Sequence, residues 1–242
     1  MGFRSPNYAI HEGDFFEHCQ RTLLGEKILT LTLTGRQLFD VAIGNPPFIR
    51  YQNFPEEHRQ VAFRLMEEAG LRPNRLTNAW LPFLVVSSLL LKDDGRLAMV
   101  IPAELFQVNY AAEARRFLSE YFRRVTLVTF NELLFEDVQQ EVVLLLAERN
   151  HTNNCGVRSL ALKNADDLAG LALDTLDLVE LKPMDHSTEK WTQYFLTARE
   201  IKLLRHLRHD KRVFQAKRVL DVDVGVVTGQ NQFFVLTKAE VK

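Results

Sequence analysis

Residues Phe39 to Phe48 read FDVAIGNPPF: a short apolar run that closes on Gly44 and passes straight into Asn45, Pro46, Pro47 and Phe48. The run predicts a strand over Phe39 to Ile43. The Asn-Pro-Pro next to it stops the strand, because proline has no N–H for a ladder and restricts the residue before it. Downstream, helices are predicted from Pro55 to Ala69, with Pro55 in the first turn, and from Ala79 to Lys92, ending before Asp93-Asp94-Gly95, where Gly95 suits a left-handed turn. Arg96 to Ile101 reads as a buried strand, Ala111 to Phe122 as a helix, and Val125 to Phe130 and Val142 to Ala147 as strands. One more strand is expected to end near Asp14 and another to cover Val157 to Leu162. Strand and helix in alternation imply an α/β fold, a mostly parallel sheet with helices on both faces and ligands at the carboxyl ends of its strands. The Asn45 to Phe48 tetrapeptide lies at such an end.

These residue types suit a planar amine held for alkylation. Such a nitrogen is a poor nucleophile, since its lone pair is delocalised into the ring, so its hydrogens need acceptors that hold them out of plane. Asn45 offers its side-chain oxygen, and Pro46 a carbonyl on a residue that lacks an N–H. The prolines push Asn45 and Pro46 toward extended backbone, which aims both acceptors in advance. Phe48 adds a ring on which a base can stack, a contact worth roughly 1–3 kcal/mol per base in nucleic-acid binders. The same residues also read as ordinary turn punctuation after a strand.

Several further segments, in order along the chain, settle between those readings. Together they resemble the amino-methyltransferases that act on adenine N6 in DNA, above all the modification methylases of bacterial restriction systems, including forms fused to a nuclease. Asn45 to Phe48 is similar to the family's [DNS]-P-P-[YFW] motif at the end of the fourth strand of a sheet that binds S-adenosylmethionine (AdoMet). Ile10-His11-Glu12-Gly13-Asp14-Phe15-Phe16 resembles the segment whose Asp accepts from the AdoMet adenine amino group and whose next aromatic packs on that ring. Asn78-Ala79-Trp80-Leu81-Pro82-Phe83 resembles the start of a helix whose Phe lies near the cofactor and the target base. Leu90 to Pro102 has the family's helix, turn and strand ending in Pro. Leu134-Phe135, ahead of Val142 to Leu146, resembles the segment whose aromatic stacks on the flipped base from the other side, and Gly225 to Leu236 the opening of a target-recognition domain.

The resemblance therefore implies a site-specific DNA methyltransferase acting on a flipped adenine in double-stranded DNA, with AdoMet as cofactor and a restriction nuclease as a possible associate. Asn45, Pro46 and Phe48 are the expected catalytic residues, and Asp14, Phe15, Asn45, Pro47 and Phe83 the expected cofactor contacts. Phe48, Phe135, Lys202, Arg205, Arg208, Thr228 and Asn231 are the expected nucleic-acid contacts. Plainer roles stand beside these: Asp14 as a turn former or helix cap, and Phe15, Phe16, Phe83 and Phe135 as core. Val125 to Phe130 and Val142 to Ala147 become the antiparallel edge pair of the methylase fold.

One departure matters. The family's AdoMet site opens with a glycine motif and a subsequent acidic residue for the ribose, yet none of the eleven glycines here forms a G-x-G, and only thirteen residues precede Asp14. The expectation is a piece of a longer enzyme, a split gene or a truncated remnant, inactive alone and completed by an N-terminal half in cis or in trans. Residues 1–180 are expected to form the C-terminal part of the catalytic domain, with a boundary somewhere in 150–190. Residues 181–242 would then hold a linker helix, Trp191 to Leu207, and the start of the recognition domain. The alternatives are a protein-glutamine or ribosomal-RNA N-methyltransferase, which faces the same nitrogen problem, or a noncatalytic subunit that needs a partner half.

Composition agrees with an ordinary globular chain of 242 residues, 46% hydrophobic. The longest near-apolar run, Ala79 to Leu91, is too short to span a bilayer, no signal peptide is visible, and Cys19 and Cys155 form neither a disulfide framework nor a zinc spacing. A bacterial cytoplasm is the expected setting. With a net charge of −1, any DNA contact must come from local patches. Lys202, Arg205, Arg208, Lys211, Arg212, Lys217 and Arg218, which face only Asp210, form one candidate; the same run also reads as a solvated helix face. Arg115, Arg116, Arg123 and Arg124 read as plain surface.

Overall fold

The computed structural model describes residues 10–24, 39–132, 141–149, 155–187, 189–223 and 225. The chain divides into two units, Met1–Ala198 and Arg199–Lys242.

Unit one is built on a five-stranded sheet. Its strands are β1 (Phe39–Gly44), β2 (Leu91–Pro102), β3 (Arg124–Phe130), β4 (Val142–Glu148) and β5 (Gly156–Leu162), laid side by side in the order β1-β2-β4-β3-β5. β1 runs parallel to β2 and β3 parallel to β5, while β4 is antiparallel to both of its neighbours, so four strands share one direction. The fold is thus the expected mostly parallel α/β sheet. β3 and β4 do pair antiparallel, but they are not the edge: β4 is inserted between β2 and β3, and β5 takes the outer position.

The helices of unit one are α1 (Phe15–Leu24), α2 (Glu56–Glu68), α3 (Trp80–Leu89), α4 (Ala112–Tyr121), α5 (Ala165–Ala169) and α6 (Leu173–Leu178). α3 is apolar all round and buried along most of its length, as a central helix must be. Pro82 is tolerated there because it falls in the first turn, where its missing N–H costs little. α1 and α2 pack around α3 through Phe16, Cys19, Leu23, Phe54, Ala62, Leu65, Ala79, Val86 and Leu90. Each large aliphatic side chain removed from water there is worth about 1.5–3 kcal/mol.

Gly95 departs from expectation. Its φ is not in the left-handed region, and it lies inside β2, where the register jumps from Phe39 opposite Leu91 to Val41 opposite Arg96. Lys92 to Gly95 bulge out of the ladder, and a Cβ on Gly95 would meet Leu91 Cβ and Lys92 O at 2.9 Å, so lack of space explains the glycine.

Within the stretch expected to hold a domain boundary, residues 155–187 and 189–190 belong to the first unit, which ends at Ala198. Residues 181–187 and 189–194 lie on the outer side of β5, where Val157 and Lys182 exchange backbone hydrogen bonds of 2.9 and 2.8 Å. Gly156 makes that approach possible: with φ +150° it adopts backbone that side chains resist, and a Cβ there would lie 2.5 Å from Lys182 O. Buried Arg158 donates to Thr126 Oγ1, Leu176 O and Asp177, and Lys182 Nζ to the Tyr194 carbonyl. Trp191 to Leu207 is not one helix either. A 3-10 turn over Trp191–Phe195, with Trp191 and Tyr194 fully buried, ends at Leu196, and α7 (Ala198–His209) starts afresh.

Two of the arginines expected at the surface are structural. Arg115 is buried and donates to the carbonyls of Leu105, Val108 and Glu189, while Arg124 makes a two-pronged pair with Glu148 at 2.8 and 2.9 Å. No helix among the described residues is long and apolar enough to cross a membrane.

Candidate active site

The carboxyl ends of β1 and β2 lie side by side, Gly44 opposite Met99. The β1 backbone leaves the sheet through an exposed Asn45, a buried Pro46, an exposed Pro47 and a half-buried Phe48. The Asn45 side-chain amide has no partner among the described residues. The chain just past Phe48 is held firmly: Asn53 N–H donates to Arg50 O at 2.9 Å, and Arg59 of α2 clamps the turn by donating to Tyr51 O and Phe54 O at 3.1 and 3.0 Å. The Arg59 guanidinium also lies 4.2 Å from the centre of the Tyr51 ring.

The start of α3 is tied to this arm, since Ala79 N–H donates to Ile49 O at 2.9 Å. Beside it the Tyr110 hydroxyl accepts from Asn78 at 2.9 Å and from Trp80 Nε1 at 3.2 Å and donates to Glu104, two residues past the end of β2. Burial, and next the bond to Glu104, push the Tyr110 pKa well above the ordinary phenol value.

Asp14 stands at the start of α1, where Oδ1 accepts from Glu17 N–H at 3.0 Å, so the capping role is real. Its Oδ2 lies 3.0 Å from His58 Nδ1, a buried nitrogen that approaches at ion-pair distance without the alignment of a hydrogen bond. Phe15 and Phe83, 68 residues apart, are stacked with centroids 4.8 Å apart and planes at 23°, and Phe16 closes on Phe83 at 4.5 Å. No third ring fits between Phe15 and Phe83, so an adenine would lie against an outer face of the pair.

The fold therefore brings Asp14, Phe15 and Phe83 into one cluster and ties α3, which carries Phe83, to the arm that carries Asn45, Pro46, Pro47 and Phe48. Lys202 and Arg208 are exposed and Arg205 half-buried on α7, in the second unit. Phe135, Thr228 and Asn231 lie outside the described residues. His58, Arg59 and Tyr110 escaped the sequence reading, because each acts through a partner distant in sequence or through a backbone carbonyl that leaves no trace in residue type.

With an Asn-Pro-Pro-Phe at the carboxyl end of β1 in an α/β sheet, the chain is similar to methyltransferases of restriction-modification type. Residues 7–135 match the Eco57I restriction-modification methylase family, more than half of the chain, and the chain belongs to that family. Residues 188–242 match the C-terminal domain of the type II methyltransferase M.Eco57I. Among curated relatives, the type II methyltransferase M.AccI of Acinetobacter calcoaceticus is 24% identical over 213 residues, spanning 84% of this chain and 38% of M.AccI. M.HindII of Haemophilus influenzae is 23% identical over 220 residues, spanning 84% of this chain and 42% of that protein. The chain thus spans about two fifths of the length of these relatives. A solved nuclease-deletion mutant of the Type ISP restriction-modification enzyme LlaGI, in complex with a DNA substrate mimic, matches at 14% identity with a TM-score of 0.48, over 63% of this chain and 18% of that one. AdoMet is the cofactor that goes with the family.

Proposed function

We propose that the enzyme to which this chain contributes transfers a methyl group from AdoMet to the N6 amine of an adenine rotated out of duplex DNA, as the modification half of a restriction system. The observation that carries this reading is Asn45: a side-chain amide without a partner among the described residues, exposed at the carboxyl end of β1, three residues from a half-buried Phe48 on a braced arm. The flipped base, whose extrusion costs a few kcal/mol, stacks on Phe48 with Phe135 on its other side. Asn45 Oδ1 and the Pro46 carbonyl take its amino hydrogens and turn the lone pair toward the methyl donor. The bound cofactor supplies an electrophilic sulfonium methyl. Asp14 keeps a lone pair for the adenine amino group of AdoMet after capping α1, and Phe15, Pro47 and Phe83 supply apolar contact. Lys202, Arg205 and Arg208, with Thr228 and Asn231 beyond them, serve the DNA.

The described donors fit the adenine half of AdoMet, whereas no G-x-G is present for the methionine half. A further segment is therefore part of the reading. Among the described residues β1 has no neighbour on its outer side, where another strand could pair, and Phe39, Val41 and Ile43 on one of its faces are 49%, 49% and 82% exposed.

The test combines the chain with the part of M.AccI that precedes the matched stretch and measures methyl transfer from labelled AdoMet to DNA, with mass spectrometry of the nucleosides. N6-methyladenine is the expected product. Asn45→Ala should abolish it while leaving AdoMet affinity near normal, and retained turnover refutes the role of Asn45. Phe48→Ala should weaken base capture more than cofactor binding. Methylation of protein or ribosomal RNA in place of DNA would overturn the substrate.

A further inference from the structure

The loops beside Phe48 carry cations that no described acid answers. Residues 45–55 and 69–79 hold Arg50, Arg72 and Arg75 and no Asp or Glu, in a chain whose net charge is −1. All three arginines are exposed, and none of their guanidinium groups has a partner among the described residues. Half-buried and buried arginines nearby are committed: Arg59 and Arg115 hold backbone carbonyls, and Arg116 pairs with Glu113 at 3.0 Å. Several acids on the packed elements are committed as well, while Glu67 and Glu68 of α2 stand just before the second loop. Glu56 accepts from Gln60, Glu57 faces His58, Glu113 accepts from Arg116 and from the Arg72 backbone N–H, and Glu104 accepts from Tyr110 and Asn78.

The backbone presents these arginines in fixed places. Arg50 directly succeeds Ile49, whose carbonyl is bonded to the start of α3, and its own carbonyl caps the turn braced by Arg59. Arg75 sits at the tip of a turn closed by Asn74 and Thr77: Thr77 N–H donates to Asn74 O at 2.9 Å, Asn74 N–H to Thr77 Oγ1 at 2.9 Å and Leu76 N–H to Asn74 Oδ1 at 2.8 Å. Arg75 is four residues from Ala79, so the two loops flank Phe48 within a short span of chain. Exposed guanidinium groups without acid partners, on backbone tied to the Asn45 arm, suit phosphate oxygens.

We propose that Arg50, Arg72 and Arg75 form a phosphate-contact surface for double-stranded DNA, holding the backbone on either side of the extruded nucleotide. This rests on the DNA reading above and adds a contact surface in the first unit to the basic stretch of the second. The contacts carry no sequence information and set the register of the duplex over the Asn45 arm.

The test uses the full chain and a short fluorescein-labelled DNA duplex, with anisotropy monitored across a range of sodium chloride concentrations. The triple variant Arg50→Gln, Arg72→Gln, Arg75→Gln is compared with a triple of exposed arginines off these loops, Arg21→Gln, Arg96→Gln, Arg123→Gln. Loss of three phosphate contacts should make the slope of log affinity against log salt shallower by about 2–3, with the comparison triple near wild type. The single variants Arg50→Gln and Arg75→Gln should each remove about one unit of slope and guard against misfolding of the triple. Wild-type binding with an unchanged slope in the loop triple, or an equal loss in the comparison triple, overturns the surface and leaves the DNA reading standing. No binding at low salt by the wild-type chain, either alone or combined with the preceding part of M.AccI, overturns both.

Discussion

Along the outer side of β5 the chain lays its own residues 181–187 and 189–194, bridged through Val157 and Lys182 and pinned by Arg115, Arg158 and the buried rings of Trp191 and Tyr194. Along the outer side of β1 nothing among the described residues pairs, and three aliphatic or aromatic side chains of one face stand in the open. Both are edges of the same sheet, yet one is sealed by polar groups with every buried cation partnered and the other ends in exposed apolar surface. The second edge belongs to β1, the strand that leads into Asn45.

Four measurements test the contrast. The largest effect is expected from Tyr194→Ala, which opens a cavity under the sealed edge; urea unfolding monitored by circular dichroism should show a loss of about 3–5 kcal/mol, and a much smaller loss means that the strap is loosely seated. Next comes Arg158→Met, which keeps the apolar stem but leaves the carbonyl of Leu176 and the groups of Thr126 and Asp177 without their donor, at about 2–3 kcal/mol by the same measurement. Ile43→Thr on the open edge should change stability by no more than about 0.5 kcal/mol in the isolated chain. A cost of several times that would show the edge to be covered in solution.

The mildest probe is chemical. Burial, and then the charge of Asp14, push the Cys19 thiol up to about 12, whereas Cys155 is exposed at the start of β5. At pH 8 the thiolate fraction of Cys19 is then roughly 10⁻⁴, so a thiol-labelling reagent should modify Cys155 alone until the chain unfolds. Because the folded state raises this pKa, its contribution to stability is intact below the unfolded value near 9 and erodes as pH climbs from there toward 12. Rapid labelling of both thiols at neutral pH would contradict the packing of α1.

Much of the architecture was legible because it is local. Short apolar runs, closed at β1 by proline punctuation, located β1, β3 and β4 within a residue or two, and α2 lies one residue inside each expected bound. The features hidden from sequence depend on partners. Arg115 looks like any surface arginine until three carbonyls converge on it, and β4's place between β2 and β3 is decided by pairing, which single-strand patterns do not encode. Trp191 to Leu207 has helical spacing of apolar residues, yet Trp191 and Tyr194 are drawn into the core beneath β5 and the helix restarts after Thr197. At the site, Asp14 and the aromatic pair were readable as motifs, while His58, which faces Asp14, came to light only through the packing of α2 on α1.

Gly156 and Lys182 set main chain directly against main chain, so the chain cannot be cut and rejoined between β5 and the strap without parting a backbone pairing, and any residue other than glycine at position 156 would force the two apart. A cut at Leu196 or Thr197, past the buried rings of Trp191 and Tyr194 and before α7, leaves the sheet and its strap whole.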